Sequence, residues 1–396
     1  MSAKEINHGS RAHALLSASG AYRWLTCTPS ARLEDEVGKD ESSDFAKEGT
    51  WAHELSEVEL RYALDRLTLN EYVEKKNALM ASEFYSTDTA EAVDTYVAYV
   101  LDTWREAKQA DPFAEIHIED KVDLSAYVPE GYGTNDVVIL AGSVLHVIDL
   151  KFGRGVRVSA VENPQLKLYG LGAVEKHGIL YDLDRVVLAI HQPRVSGVAS
   201  EFNLSVDALL AWAEDEVKPK AALAFEGKGD FVAGPHCHFC KVASRCRALA
   251  EENLKLAAHD FEEPALLSDA DLVDIYERAD LFTKWLSKIT DYVKAEALAG
   301  KAWPGLKLVE GRSVRQITNE DAVAEALEAA GFTPDKFTTV KLKGLTDLTK
   351  MLGKAEFEAV VGPYVVKPAG KPTLVTADDP RPEFNLNHKN DFENEI

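Results

Sequence analysis

A chain of 396 residues with 46% hydrophobic content and 28% charged residues is long enough for one large or two ordinary domains, and too apolar to be disordered. Its net charge of −22 excludes a protein that coats nucleic acid through overall charge, and the longest apolar run, Val137 to Ile148, is broken by Gly142 and too short to span a bilayer. No basic segment leads into an apolar stretch near Met1, so a soluble cytoplasmic protein without a membrane partner is expected.

In chain order, residues 11–30 predict a short helix leading to Cys27, Pro29 and Ser30. Thr50 is placed to cap a helix from Trp51 toward Leu67, and a second helix fits Thr89–Gln109. Strand-like segments follow at Glu115–Ile118, Asp136–Leu140 and Val144–Lys151, the last two joined through Ala141-Gly142-Ser143 as a hairpin. Pro164 suits the first position of a helix reaching about Lys176. Arg185–His191 reads as a buried strand and Val206–Phe225 as a helix. This order suggests an α/β fold, a mixed sheet flanked by helices, over residues 1–255. Beyond it, Ser268 with Asp271 forms a capping-box pattern and Gly300 a stop, framing a helix of about thirty residues. A strand pair (Gly305–Glu310, Ser313–Ile317) and a helix from Glu320 to Ala330 complete an α+β appendage over residues 256–375. Residues 376–396 have few apolar positions and read as an extended tail.

Several residues have chemistry to offer. On a strand, side chains two apart share a face, so Asp149 and Lys151 point together while Leu150 packs behind them. A carboxylate beside an ammonium can bind a divalent cation and orient water against a phosphate, although on an exposed strand the pair is usually just solvated. Asp136, on the partner strand of the hairpin, can bring a second carboxylate close, as a hard cation requires. Gln165 and Tyr169, four apart, share a helix face. His53 falls in the first turn expected for the helix after Thr50, where a lone histidine is more often structural than a ligand. Residues 151–200 carry seven Lys/Arg, Arg154 and Arg157 among them, against four acids, so a restricted basic groove is compatible with the acidic whole.

The order and spacing of His53, Gly133-x-x-Asp136, Asp149-x-Lys151 and Gln165-x-x-x-Tyr169 resemble the successive motifs of RecB-like nucleases of the PD-(D/E)XK superfamily, over about residues 12–250. The resemblance implies a restriction-endonuclease-like fold, with His53, Asp136, Asp149 and the Leu150 carbonyl holding Mg²⁺ or Mn²⁺. It implies Asp136, Asp149 and Lys151 as catalytic residues, and Gln165, Tyr169, Arg154 and Arg157 at the DNA. Asn135 stands where the superfamily's name has proline, a position that varies among RecB-like members.

Four cysteines in a chain expected to be intracellular read as ligands rather than disulfides. Cys237-x2-Cys240-x5-Cys246 is one compact set and Cys27 lies more than 200 residues upstream; four thiolates suit zinc or a cubane iron–sulfur cluster. The split resembles iron–sulfur nucleases such as AddB and implies a [4Fe-4S] cluster, while His236 and His238 keep zinc open. The stretch from Lys367 to Val375 and Asp379-Pro380-Arg381-Pro382 resembles the end of a phage-encoded family of uncharacterised nuclease-like proteins. Together these imply a metal-dependent DNase, an exonuclease by analogy, acting on DNA ends or single strands alongside phage recombination or single-strand-binding proteins in the host cytoplasm. A non-enzymatic DNA-binding or scaffold protein and a zinc-dependent DNA-binding regulator are the rivals. Lys341, Lys343, Lys350 and Lys354 offer a further DNA-contacting surface or a solvated face.

Overall fold

A computed structural model describes residues 14–38, 44–155, 157–255, 268–308, 320–329 and 344–365, with single positions 333, 334 and 338. By internal contacts the chain divides into two units, the first holding residues 1–262 and 281–307 and the second residues 263–280 and 308–396.

The first unit is built on a five-stranded mixed sheet in the order β1 (Glu115–Asp123), β2 (Tyr132–Ala141), β3 (Val144–Leu150), β4 (Arg185–His191), β5 (Ser200–Ser205). The first three strands are antiparallel, β3 and β4 are parallel, and β5 returns antiparallel. A tight turn serves the β2–β3 hairpin, where Ala141 pairs with Val144 and Gly142 takes φ +57, a left-handed value that glycine adopts without steric strain. The parallel β3–β4 pair needs a long crossover, supplied by α6 (Pro164–His177). Pro164 opens α6, and the Asn163 side chain caps it by accepting from the backbone N–H groups of Gln165 and Leu166.

Helices cover both faces. On one, Leu166, Leu168 and Leu171 of α6 pack with Val138, Leu145 and Leu188 of the sheet. On the other, α3 (Asp44–Ala63) and α5 (Thr87–Ala110) bring Trp51, Leu55, Tyr96 and Val100 against Ile139 and Ile148. Helix α4 (Leu69–Met80), between them, has a full Thr68/Glu71 capping box.

The N-terminal expectation of one helix over 11–30 resolves into a turn of 3₁₀ helix (Ala18–Gly20), α1 (Ala21–Thr26) and α2 (Ser30–Val37). Trp24 anchors this segment in the core, its indole N–H donating to the Ser17 carbonyl at 2.9 Å. Thr50 is not a cap: α3 begins six residues earlier, and the Thr50 hydroxyl donates to the Ala46 carbonyl within the helix. His53 therefore lies well inside α3 rather than in its first turn.

The predicted helix over Val206–Phe225 is α7 (Val206–Trp212) and α8 (Lys218–Glu226) with a π turn over Ala213–Val217. The wider turn precedes Pro219, which lacks an N–H and would crowd the carbonyl a turn earlier. After two 3₁₀ turns (Pro235–Phe239, Ala243–Arg245) comes α9 (Arg247–Leu254), and Ser268 and Asp271 cap α10 (Asp269–Leu298) as expected. Gly305–Leu308 is turn and irregular chain rather than strand, while the rest of that predicted pair lies outside the described residues. Helix α11 spans Glu320–Ala329, and two short helices follow at Leu345–Leu352 and Lys354–Val360. Lys341, Lys343 and the expected tail lie outside the described residues. Among the described residues no helix is long and apolar enough to cross a membrane.

Candidate metal centre

A break in the alternation of β1 builds the centre. Ile116 and Ile118 pack in the α3/α5 layer. His117 and Asp120 both reach His177 of α6, by a ring contact of 4.7 Å and a 3.0 Å hydrogen bond. Residues three apart on a regular strand face opposite ways. The irregularity sits at Glu119, a non-glycine residue at φ +55. Register places Glu119 opposite Asp136, between the pairs Ile118–Val137 and Asp120–Asn135.

His53 of α3 completes the group. Its Nδ1 lies 3.2 Å from Asp136 Oδ1, and Asp136 Oδ2 accepts the Leu150 backbone N–H at 2.7 Å. Ligand atoms of His53, Glu119 and Asp136 all fall within 4.8 Å of one another, the one such triad of His, Cys, Asp or Glu among the described residues. Burial raises the Glu119 carboxyl to about 7, helped by the Asp136 and Glu57 charges. Burial alone would lower His53, yet the charge and hydrogen bond of Asp136 lift it to about 9.

Asp149 stands beside the triad. Its side chain is buried and its carboxyl is raised by burial, which the neighbouring Lys151 ammonium opposes. The pair shares one face as expected, with Lys151 Nζ 2.9 Å from Asp149 Oδ2. Gln165 ties them together: its Oε1 accepts from Lys151 Nζ at 3.1 Å and its Nε2 donates to Asp149 Oδ1 at 3.3 Å. Tyr169 OH is a further 3.5 Å from Gln165 Nε2. Gly133 leaves room for that tyrosine, since a Cβ there would lie 2.9 Å from its ring. Leu150 contributes the N–H that orients Asp136.

The basic excess of residues 151–200 is largely committed to internal pairs. Arg194 binds Glu48 at 2.8 Å and covers the Phe152 ring; Lys176 binds Asp120; Lys167 binds Glu162 and lies over Trp212. Arg154 and Arg157 are exposed on the connection between β3 and α6.

Cys27, Cys237, Cys240 and Cys246 are free thiols lining one cavity of about 750 Å³. Burial pushes Cys27 and Cys237 up and Cys240 to about 11, which favours the thiol form of these three. Tetrahedral zinc, with Zn–S near 2.3 Å, needs sulfurs about 3.8 Å apart. Among the described residues no three of these sulfurs lie within 4.8 Å of one another. The N-terminal segment is tied to this region by Thr28 Oγ1, which donates to the Lys228 carbonyl, and by Glu34, which accepts the Lys241 backbone N–H and is itself held by an ion pair with Arg23.

Sequence reasoning missed Glu119. The available signal was two adjacent acids, Glu119-Asp120, interrupting an alternating strand opposite Asp136. Compared with known proteins, residues 13–382 match the family described as "Protein of unknown function (DUF2800)". The solved structure described as "Crystal structure of SSO0001" is similar at 14% identity over 56% of this chain and 95% of that one, with a TM-score of 0.23, too slight a likeness to carry an argument.

Proposed function

The chain belongs to the DUF2800 family, and we propose that it is a metal-dependent deoxyribonuclease, an exonuclease of the RecB-like PD-(D/E)XK type. The observation that carries this reading is the His53–Glu119–Asp136 triad lying beside the Asp149–Lys151–Gln165 cluster. Imidazole and carboxylate oxygens suit Mn²⁺, and the two carboxylates suit Mg²⁺. Bound there, either ion would supply Lewis-acid polarisation of a phosphate oxygen and lower the pKa of water.

The remaining chemistry belongs to the chain. Asp136 is held in orientation by the Leu150 N–H, so its other oxygen is directed to His53. Asp149 and Gln165 fix the Lys151 ammonium, leaving it a preorganised positive group for the charge that develops on a phosphate. Arg154 and Arg157, exposed beyond β3, are offered to the DNA backbone. The four cysteines are proposed to hold a [4Fe-4S] cluster with a structural role, joining the N-terminal segment to the region after the sheet.

Digestion of end-labelled linear and circular DNA, single- and double-stranded, with Mg²⁺, Mn²⁺ or EDTA tests the activity. Metal-dependent loss of linear substrate is expected. Binding without cleavage under every condition would replace the enzyme with a DNA-binding scaffold.

A further inference from the structure

The second half of α10 packs against the cysteine-bearing turns. Trp285 of that helix is buried against Cys237, Cys240, Val242 and Leu249, with Leu281, Phe282 and Ile289 around them. One turn on from Trp285, Lys288 sends its ammonium into the Cys237–Cys240 turn. Nζ lies 3.3 Å from the Cys237 carbonyl, 2.7 Å from that of His238 and 3.0 Å from that of Cys240. A lysine ammonium has three N–H donors and no acceptor, and here each donor has a carbonyl.

We propose that Lys288 is the positioning residue of the cysteine site: it gathers three carbonyls of the Cys237–Cys240 turn, fixing two of the four thiols, and places a positive charge beside the centre they hold. The second part rests on the cluster reading of the preceding subsection; the first does not.

The argument is one of satisfaction and sign. Residues 237–240 turn so that three carbonyls converge on one side, an arrangement of like dipoles that is unfavourable without a donor among them. An apolar side chain at position 288 would leave all three without this donor. Thiolates holding an iron–sulfur core carry net negative charge, and hydrogen bonds and nearby charge set both its stability and its potential. Among the described residues Lys288 is held by three carbonyls, and the Glu34 carboxylate acts on its charge without an ion pair to it. Nothing in the sequence marks it, since it is one of several lysines on a long helix.

The test compares full-length wild type with Lys288→Met, similar in length and uncharged, and Lys288→Arg, charged and a donor. In metal-free reduced protein, amide hydrogen exchange is followed in peptides covering 237–241 and in sheet peptides covering 137–148. Loss of charge-assisted bonds should speed exchange in 237–241 about tenfold or more in Lys288→Met, with the sheet unchanged, and Lys288→Arg should restore protection. In iron-loaded protein Lys288→Met should shift the reduction potential to more negative values, because the reduced cluster loses a compensating charge, while Lys288→Arg should not. Equal exchange at 237–241 in all three proteins, or equal acceleration in turn and sheet, would overturn the positioning role. Equal potentials would overturn the electrostatic role. A wild type that takes up no iron would overturn the cluster reading while the exchange arm still decides the role of Lys288.

Discussion

Glu119 and Asp136 face each other across β1 and β2 at the one place where β1 leaves its regular alternation, with Glu119 in the left-handed backbone region. Such a conformation is uncommon outside glycine, asparagine and aspartate and persists where the surroundings compensate for it. Here it accompanies the convergence of Glu119 with Asp136 and the helical His53. The triad is thus a joint product of two strands and a helix.

Glu119→Gln should keep the fold and weaken divalent metal binding by at least about 10–100-fold, the loss seen when a group supporting a metal site is removed. Titration with Mn²⁺ followed by electron paramagnetic resonance measures this. Wild-type affinity in the variant would remove Glu119 from the centre.

The metal-free protein should lose stability as pH rises from about 5 to 9. The pKa of His53 is raised from 6.5 to about 9 on folding, so its contribution is full below 6.5 and lost as pH rises through 9. Glu119 is raised from 4.5 to about 7, so its proton favours the fold below 4.5 and that contribution is gone above 7. Saturating Mg²⁺ or Mn²⁺ should flatten the decline, because the cation replaces both protons. Thermal melts against pH, with and without metal, provide the check; a metal-free melting temperature that climbs over this range contradicts it.

Asp149→Ala and Lys151→Met should each lower cleavage by about 10²–10⁴-fold while far-UV circular dichroism and iron content stay unchanged. The two side chains pair at 2.9 Å and share Gln165, so the double variant should be little worse than either single one. Near-normal metal-dependent activity in both single variants would dismiss the site.

Replacing Arg154 and Arg157 together by Ala should weaken DNA binding without changing metal affinity, and reduce the slope of log affinity against log salt by about 2. Both side chains are exposed, unlike Lys167 and Arg194, whose charges are held inside the fold. An unchanged slope would place the DNA elsewhere.

Protein purified without oxygen should be brown, absorb near ~400 nm and hold about four irons, and Cys27→Ser and Cys240→Ser should each lose them. Colourless protein with one zinc would establish the zinc alternative. A clip across more than 200 residues stabilises by about 5 kcal/mol in the loop-entropy picture. Trp24 and Thr28 already close that loop without metal, so Cys27→Ser should lose less than this, and limited proteolysis should leave the N-terminal segment docked. Release of that segment in Cys27→Ser would show that the cysteine carries the attachment.

Local chemistry carried much of the fold into the sequence. The β2–β3 hairpin, the start of α6 at Pro164 and the capping of α10 by Ser268 each depend on residues within a few positions of one another. The Asp149–Lys151 pair was legible for the same reason, since strand geometry alone puts residues two apart on one face. What failed depended on distant partners. The start of α3 before Thr50, the strand β5 with its half-exposed alternation, and the π turn before Pro219 carry weak local signals. Glu119, marked only by its acidic neighbour, and Lys288, not marked at all, were missed for a stronger reason. One acid in a strand and one lysine on a long helix look solvated until tertiary structure sets the first opposite Asp136 and the second among three carbonyls of the cysteine turn. Periodicity reports which side of its own element a residue occupies, and only the packing of elements decides what waits there.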